Sequence, residues 1–212
     1  TGWDRPDEVC VATCRTAGAE VTDLLASAPA VLSGQRRGTL TLIGAPCAVA
    51  ELAGDITART GQIAALSWAV PLSDTHHAYR WCKRSLTMVD EGLVAAGEDG
   101  VVPCAEHQSL LWMHADPALR RHANQELLRP LFEEQARHRV ALAETMLLWL
   151  QTRQSAPALA KVLGVHEQTV RYRLRRLKTI FRDQLADPRD VVGLLAALES
   201  SAPLWRCKAS AS

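Results

Sequence analysis

With 212 residues and 48% hydrophobic content, the chain suffices for one large domain or two small ones, each with a real core. A formal net charge of +1 excludes a polybasic nucleic-acid coat, so any cationic function must be local. No signal peptide and no long uncharged apolar run is visible, which predicts a cytoplasmic protein without a membrane partner. The chain begins with Thr1 rather than Met, as expected of a trimmed chain or a piece of a longer protein.

Residues 8–103 alternate between strand-like and helix-like runs. Val9–Cys14 reads as a strand, and Ala17–Ala28 as a helix with Val21, Leu24 and Leu25 as its apolar stripe. Ala30–Ser33 and Thr39–Ile43 are β-prone, with Gly34–Gly38 between them as a hairpin turn. Val49–Arg59 is helical and Ile63–Val70 strand-like; Asp74 is placed to cap a helix running to Asp90, and Val101-Val102 closes the sheet. The order predicts an α+β sandwich, with helices packed on a mainly antiparallel sheet.

Glu106–Met113 and Pro117–Leu128 read as helices, the second started by the Asp116-Pro117 cap-plus-proline pair. Arg129-Pro130 marks a break. Val140–Leu150 is apolar on nearly every face, interrupted by Glu144 and Thr145, so it must be covered on several sides. Asp187-Pro188 starts a last helix whose Val191, Val192, Leu194, Leu195 and Leu198 fold back on the core. Residues 201–212 read as frayed.

Between these helices lies the most informative stretch, residues 155–181. Ser155 is a candidate N-cap and Pro157 fits the first turn of a short helix with Ala158, Leu159, Val162 and Leu163 on its apolar face. Gly164 follows, where a chain leaving a helix needs positive φ. Val165 anchors the turn and His166 starts the next helix. There Val170, Leu174, Leu177 and Phe181 recur at spacings of four, three and four, and share one stripe. Gln168, Thr169, Tyr172, Arg175 and Arg176 lie roughly opposite that stripe, with Arg171 and Arg173 on its flanks. The first turn of such a helix is the part that reaches base edges in a major groove, where Arg reads guanine, Gln reads adenine and the Thr methyl meets thymine. Arg175, Arg176, Lys178 and Arg182 suit phosphates, whose neutralisation releases counterions. Charge runs are usually solvated helix faces. A preceding helix and glycine turn, with Glu167 the only acid from 165 to 182, favour double-stranded DNA as the partner.

VLGVHEQTVRYRLRRLKTIF with the following DPRDVVGLLAALES closely resembles the C-terminal helix-turn-helix of PucR-type bacterial transcription regulators, which include the carbohydrate-diacid regulators. The matching core is Val165, His166, Thr169, Val170, Arg171, Tyr172, Arg173, Leu174, Arg175 and Arg176, and the resemblance spans about residues 139–200. The turn and second helix are also similar, more distantly, to those of the nucleoid protein Fis. The resemblance implies that His166, Gln168, Thr169, Arg171, Tyr172 and Arg173 face DNA. Glu167 departs from the expected neutral or basic residue: it suits the helix dipole, repels phosphate and is able to accept from cytosine N4. The element order of the N-terminal half resembles the degenerate GGDEF-like domain that precedes the helix-turn-helix in such regulators. Its hairpin, Gln35-Arg36-Arg37-Gly38, lacks the carboxylates with which true diguanylate cyclases bind metal and nucleotide, so no catalysis is expected.

Other signals are bland. Cys10, Cys14, Cys47, Cys82, Cys104 and Cys207 form neither a CxxC pair nor a zinc-knuckle spacing, and Cys10 and Cys14 read as buried free thiols. His76 and His77 are adjacent on a helix, so their side chains splay by about 100° and do not share a face. His107, His114, His122 and His138 have no ligand spacing, and the six Trp residues read as packing groups. No P-loop, Rossmann or nucleophile-elbow motif occurs, and neither a metal nor a cofactor is expected. The expected organisation is a degenerate GGDEF-like α+β domain over 1–104, a helical linker over 105–137, a helix-turn-helix domain over 138–202 and a flexible tail over 203–212. The expected function is that of a sequence-specific transcription regulator, a homodimer or larger homo-oligomer, with a possible small-molecule effector. The competing readings are a nonspecific nucleoid or scaffold protein and a nucleotide-binding signalling protein.

Overall fold

A computed structural model describes residues 6–15 and 21–210. The chain divides into two compact units, Thr1–Ala115 and Asp116–Ser212. The first is α+β and the second is helical throughout its described elements.

In the first unit, β1 (Glu8–Arg15), β2 (Leu32–Arg36), β3 (Thr39–Gly44), β4 (Ala64–Leu66) and β6 (Val101–Pro103) form one sheet in the order β2-β3-β1-β4-β6, with β5 (Val70–Pro71) pairing to β1. All these pairings are antiparallel except β4 with β6. Helix α1 (Thr22–Ser27) links β1 to β2, and α2 (Pro46–Thr60) links β3 to β4. β3 lies between β1 and β2, and β1 lies between β3 and β4, which is the split βαβ arrangement of ferredoxin-like sheets. The predicted helix start at Ala17 lies outside the described residues.

Strand β1 explains why the sequence carries an unbroken apolar run there. Val9 and Val11 pack toward α3 (Thr75–Asp90), whereas Cys10, Ala12 and Cys14 pack toward α2 through Val49, Leu52, Ala53 and Ile56. With both sheet faces covered by helices, period-two alternation vanishes from the central strand. The arrangement is thus three layers, with the sheet in the middle. Arg15, at the end of β1, makes a two-pronged bond to Asp90 at the end of α3, with Nη1 to Oδ1 at 2.7 Å. That bond holds the Asp90 carboxyl below its usual range.

Three local expectations are corrected. Gly34 and Gln35 are paired strand residues, so the hairpin turn is Arg37-Gly38 alone. Both take positive φ, 51° and 73°, because a two-residue loop must match the right-handed strand twist. The run Ile63–Val70 is interrupted: Ser67 leaves the ladder, its Oγ accepting from Val11 N at 2.9 Å and donating to Trp68 O, which splits β4 from β5. The rings of His76 and His77 do meet, with centroids 3.7 Å apart and a tilt of 41°. Their Cβ vectors diverge as expected, but the side-chain rotamers bring the rings together, with His76 Nδ1 3.3 Å from Ser73 O in the 3-10 turn that precedes α3. Cys10, Cys14, Cys82 and Cys104 are buried free thiols and Cys47 is exposed. Burial pushes the Cys14 thiol up to about 11.

The second unit contains α5 (Pro117–Leu127), α6 (Arg129–Phe132), α7 (Ala136–Thr152), α8 (Ala156–Leu163), α9 (Glu167–Ile180) and α10 (Pro188–Ser210). In the first unit, α4 (Gln108–Met113) follows a 3-10 turn at Cys104–His107. The Asp116 carboxylate caps α5 by accepting from Ala118 N and Leu119 N at 2.9 and 3.0 Å. Those two bonds lower its pKa. The break foreseen at Arg129-Pro130 is a restart: α5 ends at Leu127 and α6 begins two residues later, with its proline in the first turn. Helix α5 docks on α10, where Asn124 donates to Ser201 Oγ at 2.6 Å and Arg120 to Ser200 O at 3.3 Å. Helical backbone in α10 runs on to Ser210.

Helix α7 sits at the centre, as its all-round apolar character demands. Leu142, Ala143, Met146 and Leu150 are buried with Leu177 and Phe181 of α9 and Leu194 and Leu198 of α10. Leu148 and Trp149 reach a second cluster around Leu159 and Val170. The buried Thr145 is accommodated because its hydroxyl donates to Ala141 O at 2.7 Å. Among the described residues no helix is long and apolar enough to cross a membrane.

Candidate nucleic-acid interface

The short helix α8 begins at Ser155, whose backbone is extended and whose carbonyl takes the first helical bond, from Leu159 N at 3.0 Å. Its hydroxyl makes no capping bond, against expectation. One of the two amides a serine cap would engage belongs to Pro157, which has no N–H. Leu159 and Ala160 point inward, but Val162 is 65% exposed. Its position lies about 80° off the buried direction set by Leu159 and Leu163, so the expected apolar face is narrower than the composition suggests.

The turn closes as a Schellman motif. Gly164 sits at φ 63°, and Val165 N bonds back to Ala160 O at 3.1 Å while the Val165 side chain joins the Leu159 cluster. His166 is the N-cap of α9, its Nδ1 accepting from Gln168 N at 3.2 Å. Accepting at Nδ1 places the ring hydrogen of the neutral imidazole on Nε2. Histidine as a cap is a role the sequence reading did not assign.

Helix α9 then shows two faces. Val170, Leu177 and Phe181 are buried and Leu174 half-buried, fixing the helix against α7 and α8. His166, Gln168, Thr169, Arg171, Tyr172, Arg175 and Arg176 are exposed, Tyr172 to 64%. Arg173 is half-buried.

The cations differ in what holds them. Glu167 pairs with Arg171 one turn on, across the outer surface of the first two turns. Arg173 turns toward α7, where Nη1 donates to Thr145 Oγ1 at 3.3 Å. Arg176 bonds Glu134, just before α7, through Nε at 2.8 Å and Nη2 at 2.6 Å. Glu134 was not singled out by sequence reasoning: it lies 42 residues away, and only packing brings it to α9. Lys178 lies over the Trp149 ring at 5.7 Å and Arg153 over the same ring at 5.2 Å. Among the described residues the Arg175 guanidinium has no acid partner. A cleft of about 290 Å³ runs beside α9 between Thr169, Arg173 and Arg176 on one side and Glu134 and His138 on the other.

A short helix, a left-handed glycine turn and a second helix that packs on one face and shows cations on the other define a helix-turn-helix, a DNA-binding fold. Residues 142–200 match the family of the PucR C-terminal helix-turn-helix domain, and this segment is a helix-turn-helix of the PucR type, as found in DNA-binding transcription regulators. Among solved structures, the regulator of polyketide synthase expression from Bifidobacterium adolescentis matches at 19% identity with a TM-score of 0.42, over 98% of this chain and 83% of that one. No curated protein matches.

Proposed function

We propose that the chain is a sequence-specific transcription regulator that inserts the first turns of α9 into the major groove of double-stranded DNA. His166, Gln168, Thr169, Arg171 and Tyr172 reach base edges; Arg175, Arg176, Lys178 and Arg182 meet phosphates. The observation that carries this reading is the uncovered first turn of α9, followed by a cationic face with Glu167 as its only acid. Arg173, bonded to Thr145, serves at the edge of the interface and fixes α9 on α7 in the unbound protein. A homodimer places two α9 helices about one helical turn of DNA apart, roughly 34–36 Å.

The α+β unit is, on this reading, a degenerate GGDEF-like domain that serves signalling without catalysis. Its split βαβ order and the β2–β3 hairpin with Arg36, Arg37 and Gly38 in place of carboxylates support that descent. A role in phosphoryl chemistry has no carboxylate centre at the hairpin.

The test is anisotropy binding to labelled duplex from upstream of the chain's own gene, against random duplex, across a salt series. The expected result is a preference of about a thousandfold or more for the upstream DNA at physiological salt. A steep salt dependence without preference identifies a nonspecific scaffold instead, and no binding to either duplex overturns the assignment of α9.

A further inference from the structure

The first unit contains a cleft that the DNA-binding reading does not use. Helix α3 presents His77, Arg80, Trp81 and Arg84 at spacings of three, one and three, which place them on one face. Helix α4 contributes Gln108 and Trp112, and Trp68, between β4 and β5, joins them. Together they line an open cleft of about 360 Å³, within the range of small-ligand sites.

Its walls are flat and aromatic. Trp68 and Trp81 stack with centroids 4.3 Å apart and planes 21° from parallel, and His77 continues the stack on Trp81 at 6.3 Å and 20°. Trp112 stands 79% exposed, an indole with almost no protein cover on a helix that otherwise buries Leu111. The charge in the cleft is of one sign. Arg80 and Arg84 have no acid or aromatic partner among the described residues, although Arg84 is half-buried, and no carboxylate lines the cleft. Four arginines elsewhere in the chain are taken up by acids: Arg15 by Asp90, Arg129 by Glu126, Arg171 by Glu167 and Arg176 by Glu134. A partly desolvated guanidinium left open beside stacked indoles is a receptor for a negative group attached to a flat ring.

We propose that this cleft binds a planar aromatic anion, its ring stacked against the Trp68–Trp81 pair and flanked by Trp112. Its carboxylate or phosphate is held by Arg80 and Arg84, with the Gln108 amide free to bond a ring substituent. The proposal does not depend on α9, and its test uses no DNA.

The experiment is calorimetric titration of the full chain with two probes, guanosine monophosphate and 2-naphthoate, alongside the uncharged guanosine and 2-naphthamide. At least one anion binds saturably, its neutral counterpart at least tenfold more weakly. Whichever probe binds distinguishes a phosphorylated base from an aryl carboxylate. Arg84→Gln weakens that binding tenfold or more, and Trp112→Ala does so with unchanged circular dichroism and thermal midpoint, since Trp112 contributes little to the core. Saturation by neither probe, or binding indifferent to both substitutions, overturns the proposal. So does a Trp112→Ala chain that changes its oligomeric state but not its probe affinity, which makes the cleft an assembly surface.

Discussion

Helices α3 and α9 both array arginines along a face, yet the two faces suit different ligands. On α9 the cations lie along an open convex surface, and Arg171 and Arg176 are each met by a single acid that steadies them without covering the helix. A long polyanion can displace such partners at many points at once. On α3, Arg80 and Arg84 share a concave cleft with indoles and no carboxylate, which suits one small anion with a ring. Charge density alone does not distinguish the two; the neighbours of each guanidinium do.

The largest effect that would break the comparison is loss of the α9 platform. Leu177 is fully buried between α7 and α10, so Leu177→Ala is expected to cost about 2–5 kcal/mol and to lower the unfolding midpoint and DNA affinity together. DNA binding that survives such destabilisation would mean that α9 is not the binding element. Next in size is Arg171→Ala, expected to reduce affinity for the specific duplex about tenfold to a hundredfold while leaving circular dichroism unchanged. Equal affinity on every duplex tested would remove Arg171 from base readout.

Arg175→Ala and Glu167→Gln sharpen the comparison from opposite sides. Removing Arg175, which has no acid partner among the described residues, should flatten the slope of log affinity against log salt by about one. Glu167→Gln releases Arg171 and deletes a repulsive charge, so affinity for random duplex should rise about two- to fivefold, the usual worth of an exposed pair. If affinity falls instead, Glu167 reads a base or orients Arg171 for doing so.

The smallest effect is a pH dependence at Asp116. Its carboxyl titrates below the ordinary carboxylate value in the folded chain because Leu119 N and Ala118 N donate to it. Its stabilisation is therefore complete above the unfolded-state value and is lost as pH falls through the lower folded value. Asp116→Asn retains a cap but does not titrate, so acid-side melting curves of the two chains should converge as pH drops. Parallel curves would mean that the cap bonds do not form in solution.

Much of the candidate DNA interface was legible because it is contiguous. Ser155 to Phe181 carries its helix starts, glycine turn and apolar period within one short stretch, and these are local consequences of backbone geometry. The cleft was not legible. Trp68, Trp81 and Trp112 are far apart in sequence, share no period, and were read as packing residues until β4, α3 and α4 brought them together. The ring contact of His76 with His77 was missed for a related reason: Cβ directions follow from helix geometry, but side-chain rotamers depend on surroundings.

The sequence by itself determined most of the strands and helices, the PucR-type helix-turn-helix and the location of the cations, because period, capping and turn chemistry act over a few residues. Tertiary structure alone decided that β1 is covered on both faces. It also decided that Glu134 and Thr145 hold Arg176 and Arg173, and that Arg80 and Arg84 are left open among indoles. These are contacts between residues far apart in the chain, and no local rule fixes which side chains will meet once the elements pack.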